Sequence, residues 1–183
     1  MERVISNEIC LAPLQRSDAQ AFLAAVEFSR ENLSHYMPWE KHVIDCNSAE
    51  AYIDSRIRSD MPGAAWFSIQ FNGQFSGVFA IKSIDPMSRV SELGYWLADN
   101  ARGQRVVDQV LQTMVPALAR EQGVRVFEFH CLESNHASIN IVKRLGATLR
   151  RKVEHDLALP NCHDLLCIYA LDAEPSQNNK KAR

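Results

Sequence analysis

The stretch Ser91–Leu111, SELGYWLADNARGQRVVDQVL, brings together residue types that can hold a phosphate. Leu93, Tyr95 and Leu97 alternate with Glu92, Gly94 and Trp96, the period-two pattern of a strand. Asn100-Ala-Arg-Gly103 reads as a loop. A helical stripe then begins, with Val106, Val110, Leu111, Met114, Val115 and Leu118 on one face. A strand that passes through a short basic, glycine-containing loop into a helix offers an anion free backbone N–H groups and the positive end of the helix dipole. Farther on, Asn135 and Ser138 lie one helical turn apart and face the same way. Glu92 projects opposite Leu93 and Tyr95. It can accept a proton or position a cation, or it can be an ordinary polar residue of a half-exposed strand.

Other reactive side chains carry less. Cys131, Cys162 and Cys167 with His130, His136 and His163 match no zinc spacing, so no metal site is predicted. A histidine-activated Cys131 nucleophile is chemically conceivable, but no other residue pattern supports it.

The elements that must position these residues follow from the chain in order. Glu8–Leu14 reads as a first strand, cut by Pro13. Ser17 or Asp18 caps a helix whose stripe is Phe22, Leu23, Val26 and Phe28. Met37-Pro38-Trp39 sits in an aromatic patch that either plugs the core or lines a pocket, the core being the commoner fate. Asn47 or Ser48 opens a second helix, with Glu50 placed for a capping box and Ala51, Tyr52, Ile53 and Ile57 on its apolar side. Ala65–Phe71, the turn Asn72-Gly73, and Gln74–Ile84 form a hairpin, and Arg89–Leu97 continues the meander. The long helix carries Pro116, which removes a hydrogen bond to Gln112 and predicts a kink, and Gly123 stops it. Val124–Cys131 is a strand, Ser134–Leu145 a helix beginning near Asn135, and Ala147–Leu159 with Cys162–Leu171 a closing hairpin. The order predicts an α/β fold with a mixed, mostly antiparallel sheet of about seven strands flanked by helices.

Composition sets the bounds. At 183 residues and 46% hydrophobic content, residues 1–172 suit one domain with a substantial core. The polar stretch 173–183 is expected to be a disordered tail. A net charge of −2 gives no bulk attraction to nucleic acid. No run is apolar enough to span a membrane and no leader precedes the first strand, so a cytoplasmic protein is expected. Five irregularly spaced cysteines agree with a reducing compartment.

Taken together, the element order and the segments ELGYWL (92–97), Arg102-Gly103, Asn135-His-Ala-Ser138 and Arg144-Leu-Gly-Ala147 resemble the GNAT superfamily of acyl-CoA-dependent N-acyltransferases. Within it they are most similar to the ribosomal-protein N-terminal acetyltransferases, the RimL-like group. The resemblance runs from about residue 5 to about residue 172 and includes the Met37-Pro38-Trp39 patch and Asp164, a turn residue placed near the acceptor site.

The resemblance implies a sheet splayed between its fourth and fifth strands, with acetyl-CoA as cosubstrate in the gap. Trp96, Leu97 and Ala98 would supply the strand edge for the pantetheine. Arg102, Gly103, Gln104, Arg105, Val106 and Val107 would form the pyrophosphate loop, and Asn135 would hold the pantetheine amide or simply cap its helix. An amine, such as a protein N-terminus, would attack the thioester directly. Glu92 would take its proton or position it, and Ser138 would serve the leaving sulfur, since Val142 stands where many members carry a tyrosine acid. A homodimer is also implied.

Two residues depart from the pattern. Arg105 and Val107 stand where the group has small residues, which suit close backbone approach to a ligand. They keep open a ligand- or partner-binding module without acyl transfer. A polyamine or antibiotic acetyltransferase differs from the first reading only in its acceptor.

Overall fold

The computed structural model describes residues 2–159 and 163–173. Its strands are β1 (Arg3–Val4), β2 (Ile9–Pro13), β3 (Ala65–Phe71), β4 (Gln74–Ile84), β5 (Val90–Leu97), β6 (Val126–Leu132), β7 (Thr148–Val153) and β8 (Leu166–Asp172). The α-helices are α1 (Ala19–Ser34), α2 (Cys46–Ile57), α3 (Val106–Gln122) and α4 (His136–Arg144). The strands form one sheet in the order β1-β2-β3-β4-β5-β6-β8-β7. Every pairing is antiparallel except β5 with β6, as the α3 crossover between them requires.

The sheet has eight strands rather than about seven. The extra one, β1, is two residues long, too short to show an alternation, and pairs through Arg3 and Val4 with Leu11 and Cys10. The splay expected between the fourth and fifth strands therefore falls between β5 and β6.

Alternation along the strands builds two cores. Phe79, Leu93, Phe127 and Phe129 face α3 and α4, where Val110, Leu111 and Met114 are fully buried. Val78 and Trp96 face the other way, onto Phe22 and Val26 of α1 and Ile53 of α2. Each such fully buried side chain contributes roughly 1.5–3 kcal/mol of transfer free energy. On α1 the buried stripe is Phe22, Ala25, Val26, Ser29 and Leu33, the spacing of one helical face. Phe28 falls off that face and is 67% exposed, contrary to the sequence expectation.

Asp18 is the N-cap of α1, one of the two residues expected there, whereas the start of α2 differs from expectation. A short 3₁₀ turn, Arg16–Asp18, precedes α1, and the Asp18 carboxylate accepts from Gln15 N–H at 2.9 Å. On α2 the cap is Asp45, not Asn47 or Ser48. Its carboxylate accepts from Ser48 N–H at 2.7 Å, while the Ser48 hydroxyl accepts from Asp45 N–H at 2.9 Å. Glu50 is instead paired with Arg16 at 2.5 Å. The buried face of α2 is Ala49 and Ile53, with Tyr52 half-buried, whereas Ala51 and Ile57, both expected on the apolar side, are exposed, Ile57 at 42%.

The α3 helix continues through Pro116, whose ring lies on the exposed side, so the Gln112 carbonyl that loses its partner faces solvent. Gly123 ends it in the left-handed conformation, as its position suggested. Cys162 and residues 174–183, most of the expected tail, lie outside the described residues. Ala173 is tied down, donating to the Arg125 carbonyl at 2.7 Å. Among the described residues no helix is long and apolar enough to cross a membrane.

Candidate active site

The parallel pairing of β5 with β6 runs from Val90–Val126 to Leu93–Phe129 and then stops. Beyond it, Gly94–Leu97 remain paired with β4 but not with β6. The diverging strands leave a free backbone edge inside the protein, a place for an extended ligand to add its own hydrogen bonds.

A cavity opens on each side of this split. The larger, about 590 Å³, lies toward α2 and contains the aromatic rings of Trp39, Tyr52, Trp66 and Trp96. The smaller, about 400 Å³, runs along Leu97 and the start of α3. Tyr36, Met37, Tyr95, Trp96, Asn135 and Ser138 line both, so the cavities meet where β5, α4 and the segment after α1 converge.

The smaller cavity is built for an anion at one end. Arg102, Gly103, Arg105, Val106 and Val107 line it. Gly103 has φ 77°, and a Cβ added there would meet nothing within 4 Å, so the loop backbone is open on that side. Arg105 is the N-cap of α3 and no described side chain caps it. The N–H groups of the first helical turn are therefore free for a ligand. Arg105 has φ 55° and ψ 26°, left-handed rather than helical. The arginine thus occupies the conformation for which glycine is suited, at a cost of about 1–2 kcal/mol. Val107 is 4% exposed and packs into the larger core, so its methyl groups are mostly accommodated there. The loop is held from below. Asp99 accepts from Asn32 at 2.6 Å, its N–H donates to the Ser29 hydroxyl at 2.9 Å, and Arg102 pairs with Asp99 at 3.1 Å. Across the mouth, Arg144 of α4 grips Asp108 of α3 at 2.7 and 3.0 Å.

Two residues expected at the loop and strand edge line neither cavity. Ala98 is buried and its N–H is spent on the Ser76 carbonyl at 2.8 Å. Gln104 is exposed.

At the junction, Asn135 caps α4 by accepting from Ser138 N–H at 3.1 Å, which leaves its amide nitrogen for other work. Ser138, half-buried, opens onto both cavities. Val142 is fully buried in the core and takes no part. Glu92 lines the larger cavity, but its carboxylate is engaged by Lys82 at 2.6 Å and lies 3.5 Å from His130 Nδ1. Its geometry suits orienting an acceptor more than a free base.

Tyr95 is the residue the sequence pattern hid among core positions. Its hydroxyl donates to the Ser138 carbonyl at 3.4 Å, and burial, then nearby Cys131, raises its pKa, so it stays protonated. A buried tyrosine at a strand tip needs a partner for its hydroxyl, which was the available clue. Trp39 belongs to both readings of its patch. Its ring lies against Tyr52, tilted by 32° with centroids 4.7 Å apart, packs on the smaller core, and lines the larger cavity. Asp164 lines neither cavity and accepts from Ser134 N–H at 3.1 Å, tying the approach to β8 to the loop before α4. Cys131 and Cys167 are directly opposed across β6 and β8 as free thiols. Burial, then Cys167, pushes the Cys131 thiol up to about 12, far from a nucleophilic thiolate.

Comparison with known proteins gives four matches. The family described as acetyltransferase (GNAT) domain matches residues 8–148. The ribosomal-protein-serine acetyltransferase of Escherichia coli (strain K12) is 28% identical over 139 residues, covering 75% of this chain and 78% of that protein. Among solved structures, the RimL ribosomal L7/L12 α-N-protein acetyltransferase in complex with coenzyme A has a TM-score of 0.86 at 21% identity, covering 94% of this chain and 98% of that one. The microcin C7 self-immunity acetyltransferase MccE, in complex with acetyl-CoA and AMP, has a TM-score of 0.84 at 19% identity, covering 92% of this chain and 94% of that one. At such identities the two structures establish the fold.

Proposed function

The chain belongs to the GNAT acetyltransferase domain family and transfers acetyl from acetyl-CoA to an amine, and on that premise we propose that the amine is the α-amine of a protein N-terminus. The observation that carries this reading is the pair of cavities meeting at the β5–β6 split. Acetyl-CoA fits the smaller one. The open Gly103 backbone and the free N–H groups of Val106–Asp108 would hold its pyrophosphate, and the unpaired edge of Gly94–Leu97 would hold its pantetheine arm. The larger cavity, about 590 Å³ and partly open, offers room for the first residues of a chain rather than a lone amine. The relative named for ribosomal-protein serine supports the same acceptor.

The reaction requires a neutral amine at the junction. Its nitrogen attacks the thioester carbonyl, the C–N bond forms, the C–S bond breaks, and the sulfur leaves as a thiolate that must be protonated. Ser138 is the proposed hydroxyl for that sulfur, with Tyr95 as a second, permanently protonated hydroxyl beside it. Asn135 fixes the start of α4 and so the position of Ser138. Glu92, with Lys82 and His130, orients the acceptor and relays its proton to solvent.

The test is acetylation of peptides that start with Ser, Ala or Met and carry a blocked lysine, with the modified nitrogen located by fragmentation mass spectrometry. Acetyl on the α-amine is the expected product. Acetylation confined to polyamines or lysine side chains would transfer the proposal to another acceptor. Coenzyme A release at the uncatalysed rate with every amine would reinstate a binding module.

A further inference from the structure

One corner of the larger cavity is rich in donors and short of acceptors. Arg56, in the last turn of α2, lies over the rings of Tyr52 at 4.7 Å and Trp66 at 5.4 Å, and all three line the cavity. Arg56 Nε and Trp66 Nε1 are both buried without a hydrogen-bond partner. Buried donors left in this state are costly. Of the carboxylates near it in sequence, Glu50 and Asp54 pair with Arg16, Asp54 also pairs with Arg58, and the exposed Asp60 forms no salt bridge with Arg56.

The contrast with Arg30 is instructive. That guanidinium, on α1, is satisfied by Glu27, Glu40 and the carbonyls of Glu40 and Val43. An arginine that serves only the fold is furnished with acceptors in this way. Arg56 has rings and the Tyr52 hydroxyl but no carboxylate partner among the described residues. Of the acidic and basic side chains that line the cavity, Lys82 and Glu92 neutralise each other at 2.6 Å, which leaves the Arg56 charge uncompensated.

We propose that the acceptor carries a carboxylate separate from its reacting amine, and that Arg56, backed by Trp66, binds it. This rests on the acetyl-transfer reading above and adds a substrate class to it. The amine lies at the Ser138 and Tyr95 junction and the carboxylate toward α2, so the acceptor spans the cavity. A guanidinium edge and an indole N–H suit a planar oxyanion, and stacking on two rings keeps the fork from turning away. The carboxylate has two sources: an acidic side chain close behind a peptide N-terminus, or the main-chain carboxylate of a small amino acid.

The experiment measures acetyl transfer to C-terminally amidated peptides that differ only in Glu or Gln at their second or third residue, with free amino acids as a further arm. Wild-type enzyme is expected to show a KM about tenfold lower for the Glu peptide with kcat within about twofold, a difference of about 1.4 kcal/mol in binding. Arg56→Gln is expected to collapse that preference, and Arg56→Lys to restore part of it. A free amino acid preferred over every peptide supports the inference and assigns the carboxylate to a small acceptor. Equal KM values for the Glu and Gln peptides with the wild type overturn it. So does an Arg56→Gln variant that weakens both peptides equally. Should Arg56→Gln fail to fold, the wild-type comparison and Trp66→Phe decide. If acetyl-CoA binds but nothing is acetylated, the transfer reading has failed on its own. Quenching of tryptophan fluorescence then decides the inference, since Trp39, Trp66 and Trp96 line the cavity. Saturable quenching by the Glu peptide and not by the Gln peptide supports it, and equal quenching overturns it.

Discussion

Replacing Gly77 with alanine tests how tightly the edge of the split is built. Gly77 sits in β4 opposite Leu97, with φ 154°, where side chains are seldom found. A Cβ there would lie 2.3 Å from the Trp96 carbonyl oxygen and 3.0 Å from Leu97 Cα. Both contacts are to backbone, so no rotamer change relieves them. Either β4 retreats or the tip of β5 moves. Backbone strain of about 1–3 kcal/mol and overpacking of similar size together make about 3 kcal/mol a reasonable expectation. For a chain of this length that lowers the melting midpoint by roughly 6–12 °C. Because Trp96 and Leu97 line the smaller cavity, acetyl-CoA binding should weaken as well. Gly73→Ala is the matched control: its φ is also positive, at 74°, but nothing lies within 4 Å of the added carbon. It should cost about 1 kcal/mol from conformation alone. Calorimetric melting and acetyl-CoA titration of both variants check this. A Gly77→Ala protein that melts and binds like Gly73→Ala would refute the contact argument.

The other variants probe the site and the core. Ser138→Ala should lower kcat by about 10²-fold while leaving the KM for acetyl-CoA close to wild type. Equal losses in stability and rate would reduce Ser138 to a structural residue. Asn135→Ala, which removes the α4 cap, should cost about 1 kcal/mol in urea unfolding. Arg105→Gly should fold at least as stably as the parent, whereas Arg105→Val, β-branched in the left-handed region, should lose about 1 kcal/mol or more. The Cys131 thiol, raised by burial from 9.0 to about 12, makes a prediction for alkaline solution. The unfolded chain releases this proton first, so the stabilisation is complete below pH 9 and is lost as pH climbs toward 12. The slope is about 1.4 kcal/mol per unit. Cys131→Ala should flatten that part of the stability profile, as measured by denaturant titration at each pH.

Much of this molecule was legible in its residues because periodicity reports which face is buried. The alternation of Leu93, Tyr95 and Leu97 with Glu92, Gly94 and Trp96 correctly put them on two faces of β5. The Val106–Leu118 stripe likewise gave the buried side of α3. Local chemistry misled where two residues could cap the same turn. Asp45 took the α2 cap because its carboxylate reaches Ser48 N–H, and Glu50 was drawn off by Arg16 from a distant segment. The β5–β6 split, the pairing of Glu92 with Lys82, and the meeting of Tyr95 with Ser138 are products of tertiary geometry that spacing cannot express. Arg105 is the sharpest instance. Its side chain argues against a glycine-like turn, yet its backbone adopts one, because the surrounding loop is anchored through Asp99 to α1.

Acetyl-CoA is proposed to enter the split between β5 and β6 with its pyrophosphate on the start of α3. Hydrogen–deuterium exchange of the full chain, with and without coenzyme A, tests it most directly, because the amides of Val106–Asp108 have no partner within their helix to slow them. Ligand is expected to slow exchange at those amides and along Gly94–Leu97, with little change in β7 or α2. Unchanged exchange at the α3 start and the β5 tip under saturating ligand, or protection found only elsewhere, would contradict it.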